Sequence, residues 1–111
     1  MAGGIFSCAG AKGGMRLIII TATPVKIAVQ GHAGYAESGK DIVCAGVSVL
    51  FQNTVKSIQD LTDDQIKYEL TPGSGMIEFK DLSDKGKLLM DSFFIGLCMI
   101  AEEYPDYVRL A

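Results

Sequence analysis

The sequence predicts an α+β domain, two helices packed on a mainly antiparallel sheet, in the order ββαββα(β). Three observations carry this. Two long stretches read as helices: from Asp41 to about Asp60 apolar residues repeat at helical spacing, and from Asp81 to near Tyr104 a capped run is apolar around most of its girth. Short runs that are β-branched or alternate with period two sit in pairs on either side of the first stretch. The whole chain is 111 residues with no internal repeat and no long linker, which fits one domain. Strands that come in pairs between helices, rather than alternating singly with them, read as α+β.

Residues 16–23, Arg-Leu-Ile-Ile-Ile-Thr-Ala-Thr, are short and β-branched, hence a strand. Pro24 punctuates it, and residues 25–30 then alternate apolar and polar as a half-buried strand does, so the two form a hairpin. Residues 31–40 hold Gly31, Gly34 and Gly39 and show no apolar period, which reads as a flexible loop. Asp41 opens the first helix as its N-cap, a residue type whose carboxylate accepts first-turn amides. Ile42, Val43, Val47, Leu50, Phe51, Val55 and Ile58 follow at helical spacing. Residues 66–70 and 75–80 read as two more strands joined at Thr71-Pro72-Gly73-Ser74. Asp81-Leu82-Ser83 starts a second helix with Ser83 as its cap, ending near Tyr104-Pro105, and residues 107–110 suit a last short strand. Residues 1–14, rich in Gly and Ala with Lys12 their one charge, read as a flexible leader or cloning remnant, leaving a single folded domain over 15–111.

Composition narrows the function classes. The chain is 49% hydrophobic and 21% charged, as folded proteins are, and its net charge of −3 argues against a nucleic-acid binder held by a basic patch. The apolar residues 5–9 are too few for a signal-peptide core, and residues 88–101 contain Asp91 and fall short of the ~20 that cross a bilayer, so no membrane partner is expected. Cys8, Cys44 and Cys98 form no CxxC, and His32 is the one histidine, so neither a metal site nor a cofactor is expected. Three cysteines, an odd and sparse set, suit a reducing, cytoplasmic setting.

His32 and Cys44 are the one pairing of base and nucleophile that the chain offers, twelve residues apart across the Gly-rich loop. With Asp41 as N-cap, Cys44 falls in the first helical turn, where the helix end favours a thiolate. An imidazole in reach completes a Cys–His nucleophile–base pair, and amides at the helix start would hold an oxyanion. The alternative makes Cys44 a small buried hydrophobe and His32 a loop residue. A phosphate cradle is disfavoured, because Gly39-Lys40 is followed by Asp41 where GxxxxGK[ST] requires Ser or Thr.

Gly31-His32-Ala33-Gly34-Tyr35-Ala36, followed by Gly39-Lys40-Asp41-Ile42-Val43-Cys44-Ala45-Gly46-Val47-Ser48, resembles the signature of the ribosomal-processing cysteine protease family, Prp. Residues 102–109 resemble that family's C-terminus, and the likeness spans about 15–110. The resemblance implies a homodimeric bacterial endopeptidase that removes an N-terminal extension from a protein of the large ribosomal subunit. By position, Cys44 would be the nucleophile and His32 the general base. Asp41 matches the motif's acidic residue and either orients His32 or only caps the helix. Ser48, on the same helical face as Cys44, either lines the substrate groove or bonds the preceding turn.

Tyr35, Glu37, Ser38 and Lys40 are candidates for substrate contact, and Gly31, Gly34 and Gly39 would let the loop change shape on binding. The second helix is apolar around most of its girth, more than one sheet can cover, which points to self-association unless Phe51 and Val55 cover the excess. The rival function is a non-enzymatic ribosome-associated or assembly factor that binds through the Gly-rich loop.

Overall fold

The structure, a computed structural model, describes residues 17–32, 34, 36 and 41–111. In chain order the elements are β1 (Ile18–Thr23), β2 (Lys26–Gln30), α1 (Ile42–Leu61), β3 (Ile66–Thr71), β4 (Ser74–Phe79), α2 (Asp84–Glu103) and β5 (Val108–Leu110). The ββαββα(β) order holds. The expected leader, residues 1–14, lies outside the described residues.

The strands form one sheet in the order β3-β4-β2-β1-β5. β1–β2, β2–β4 and β3–β4 pair antiparallel, with Ile20 opposite Val29, Ala28 opposite Met76, and Tyr68 opposite Ile77. β5 pairs parallel to β1 and makes the sheet mixed. The connections β2-α1-β3 and β4-α2-β5 both join parallel strands but leave in opposite directions from strands that point opposite ways. Right-handed crossovers of that kind set both helices on one face.

That face carries the core. Ile18 and Ile20 of β1, Ile27 and Val29 of β2, Ile77 of β4 and Val108 of β5 are buried at alternate positions, beneath Val43, Val47, Phe51 and Ile58 of α1 and Met90, Phe93 and Leu97 of α2. Phe51 meets Phe93 edge to face, ring centroids 6.0 Å apart, and locks α1 to α2. Emptying either site would cost about 3–5 kcal/mol.

Boundaries moved where turn chemistry intervened. Val25, expected in β2, sits in the turn after Pro24 and is exposed, because Thr23 and Lys26 already close the ladder. Thr71 and Ser74, expected in a loop, pair as the last rung of β3–β4 and leave a two-residue Pro72-Gly73 turn. The start of α2 did not move: Ser83 caps it as expected and Asp84 is its first residue, while Asp81, with φ +54°, lies outside the right-handed helix.

Candidate active site

Cys44 is positioned by Asp41. Asp41 is the N-cap of α1, and its Oδ1 accepts the amides of Val43 at 3.0 Å and Cys44 at 2.9 Å. Its backbone carbonyl takes the Ala45 amide at 3.0 Å, the first helical hydrogen bond. Oδ2 also receives the Ala36 amide, at a longer 3.4 Å, so the carboxylate ties the returning loop to the helix start. The cap is almost wholly buried, and a buried carboxylate with several donors holds its neighbours in place rather than swinging freely. Amides expected to be available for an oxyanion are thus partly committed, those of Val43 and Cys44 to Asp41.

Cys44 occupies the third helical position and is 3% exposed. It is disulfide-bonded in this structure, a bond that must be reduced before the sulfur can act as a nucleophile. Cys98, by contrast, is free. Ser48, one turn beyond Cys44, is fully buried and its Oγ accepts from Gln52 Nε2 at 2.9 Å. Cys44, Ser48 and Gln52 thus lie on successive turns of one helix face, the last two joined by that bond. Gln52 was not singled out from the sequence, since an amide two turns from the cysteine belongs to no recognisable motif.

His32 follows the end of β2. The β2–β4 ladder closes with Gln30 opposite Ser74, and the Gly31 amide then donates to Gly73 O at 2.8 Å, carrying the ladder one step further. Gly31 has φ +107°, and a side chain there would run into the carbonyl oxygen of Leu17. His32 therefore leaves the sheet at the edge where β2 ends, where the connection to α1 and Cys44 begins. Its Nδ1 is buried and has no hydrogen-bond partner among the described residues, so none of their carboxylates fixes the ring through that atom.

Gly34, with φ +66°, is the other loop glycine within the described residues. Tyr35, Ser38 and Gly39, with Glu37 and Lys40, lie outside them. Among the described residues, no cluster of His, Cys, Asp and Glu is arranged to hold a metal ion, and no helix is long and apolar enough to cross a membrane.

The chain as a whole has counterparts among known proteins. The family described as cysteine protease Prp matches residues 18–109. The ribosomal processing cysteine protease Prp of Staphylococcus aureus is 34% identical over 87 residues, covering 76% of this chain and 82% of that protein. The Bacillus subtilis protease of the same name is 28% identical over 89 residues, covering 74% and 80%. A crystal structure of the Staphylococcus aureus protease in complex with a covalently linked product peptide is similar with a TM-score of 0.77 and 30% identity, covering 85% of this chain and 95% of that one. This chain belongs to the Prp family and is a cysteine peptidase.

Proposed function

We propose that the protein is an endopeptidase that removes the N-terminal extension of a bacterial large-subunit ribosomal protein precursor, with Cys44 as nucleophile and His32 as general base. The observation that carries this is the seating of Cys44 in the first turn of α1, its amide held at 2.9 Å by the Asp41 carboxylate. The likeness to a ribosomal processing protease whose crystal structure holds a covalently linked product peptide supports the same reading.

The chemistry then runs in two steps. His32 takes the Cys44 thiol proton, and the thiolate attacks the scissile carbonyl to form a tetrahedral oxyanion. The C–N bond breaks, the leaving amine takes the proton from the imidazolium, and a thioester remains on Cys44. Water, deprotonated by His32, attacks the thioester and releases the carboxylate product and the thiol. Asp41 serves this as a scaffold, fixing the helix start beneath the sulfur. Tyr35 and Ser38 would contact the peptide, and Ser48 would support the face on which Cys44 sits. A net charge of −3 suits a basic ribosomal protein as substrate, and the setting is cytoplasmic.

The working unit is a homodimer. Phe51 covers part of α2, yet Leu88, Ile95 and Met99 stay 69%, 60% and 64% exposed along one side of it. A second copy of this chain would cover that stripe.

The test is incubation of the reduced protein with the ribosomal-protein precursor, with the new N-terminus mapped by mass. The parent should cleave, while Cys44→Ser and His32→Ala should lose roughly 10⁴-fold in turnover. Binding without cleavage by any of the three would instead favour the assembly-factor reading.

A further inference from the structure

The turn between β3 and β4 has a bearing on His32 that its sequence does not suggest. Thr71 and Ser74 pair as the last rung, leaving Pro72-Gly73 as the corner. Gly73 has φ +78°, the value expected at the second corner residue of a type II turn, about +80°. Hairpins favour the mirror-image turns whose twist matches the strands, such as Asn-Gly, so a Pro-Gly corner is not the best choice for the hairpin alone.

What that corner does offer is a bare backbone surface. A Cβ built on Gly73 would lie 2.7 Å from His32 Nε2, 2.9 Å from Cε1 and 3.5 Å from Cδ2. The imidazole thus rests its Nε2 edge against the Gly73 Cα, in space that any side chain would fill. The Gly31 amide, donating to the Gly73 carbonyl at 2.8 Å, ties the residue before the histidine to the same corner.

A general base is ordinarily oriented by a third group that hydrogen-bonds to it. Here Nδ1 is buried with no hydrogen-bond partner among the described residues, and the Nε2 edge meets Gly73, so what the ring packs against sets its position. We propose that Gly73 is a positioning residue for His32, with its uncovered Cα as the seat of the imidazole and its carbonyl anchoring Gly31. This rests on the reading of His32 as the base. Gly73 meets the ring at its Nε2 edge, so the nitrogen that would take the Cys44 proton is Nδ1, and Gly73 acts only by fixing the ring's position.

The experiment uses the full chain under reducing conditions. Because the chain has one histidine, its imidazole resonances are assigned without ambiguity. Gly73→Ala adds the offending Cβ. Gly73→Asn adds the same atom on a residue that tolerates positive φ, which separates displacement of the ring from backbone strain. Pro72→Ala loosens the turn without placing an atom in the ring's space.

Both Gly73 variants should shift the His32 ring resonances and lower kcat on a peptide spanning the precursor junction. The fall should be roughly 10- to 100-fold, the scale of about 1 Å misplacement, with KM little changed. Pro72→Ala should leave both readouts near the parent's. Unchanged resonances and kcat in Gly73→Asn would overturn the inference, as would an equal loss in Pro72→Ala. Full activity in His32→Ala would overturn the underlying reading of the base instead. Dead His32→Ala beside active Gly73 variants would sink the positioning role alone.

Discussion

α1 and α2 are each 20 residues long and each opens on a short polar side chain, yet their N-termini are built differently. At α1 the cap is a buried carboxylate, which accepts the amides of Val43 and Cys44 through a single oxygen. At α2 the cap is an exposed, neutral hydroxyl, Ser83 Oγ, which accepts the Gly86 amide at 3.1 Å. Ser83 is in turn gripped by Asp64 from the α1–β3 connection, whose Oδ1 accepts the Ser83 amide at 3.0 Å and whose Oδ2 accepts the Ser83 hydroxyl at 2.8 Å. A side chain on Gly86 would run into that same Oδ2. The α2 start is a clasp between two segments and carries no reactive group. The α1 start spends its donors internally and holds a sulfur. Capping stabilises both ends, but at α1 the same hydrogen bonds also place Cys44.

The largest effect that would sharpen this contrast is expected from Asp41→Ala. Losing the cap should cost about 1–2 kcal/mol in a denaturant melt, and turnover should fall at temperatures where the variant is still folded. Ser83→Ala should cost about 1 kcal/mol and leave turnover intact. If the two variants lost activity in step with stability, the distinction between the helix starts would be broken.

A finer cut comes from Asp41→Asn. Asn keeps one oxygen for the Val43 and Cys44 amides but sets an NH2 where Oδ2 accepts the long Ala36 bond, so stability should fall by about 1 kcal/mol, less than in Asp41→Ala. Removing an anion beside the cysteine favours the thiolate, so reduced Cys44 should alkylate faster at a given pH. An unchanged rate would mean that the carboxylate charge is not felt at the sulfur.

The smallest effect concerns acid. The Ser83 amide first, and then its hydroxyl, hold the Asp64 carboxyl below its ordinary value of 3.8, against a smaller opposing effect of desolvation. A carboxyl with a depressed folded-state pKa stabilises the fold above its unfolded value, and that contribution is lost as pH falls through the folded one. Urea midpoints measured from about pH 5 downward should decline less steeply in Asp64→Asn than in the parent. An identical decline would show that the clasp does not titrate.

Much of the site was legible because its signals are local. Asp41 three residues before Cys44, ahead of a helical apolar period, is enough to predict a cap and a first-turn cysteine. Gly31 beside His32 marks a backbone turn that only glycine makes cheaply, and the joined Gly-His-Ala and Asp-x-x-Cys-Ala segments pointed to the family. In the sequence the Pro72-Gly73 corner is merely a connection, since nothing local ties it to a histidine about forty residues earlier. Asp64 carries no local signal for the same reason, its partner Ser83 lying 19 residues away.

Element type and order follow from periodicity, a property of neighbours along the chain, and so the sequence alone determined ββαββα(β), the two caps and the candidate nucleophile and base. The order β3-β4-β2-β1-β5, the parallel pairing of Val108–Leu110 with β1, and the seating of His32 on Gly73 were decided only in three dimensions. A three-residue strand has the same pattern whichever edge it joins, and a glycine's missing side chain matters only once another residue occupies the space. Strand pairing and close packing are contacts between distant segments, and they exist only after the chain has folded.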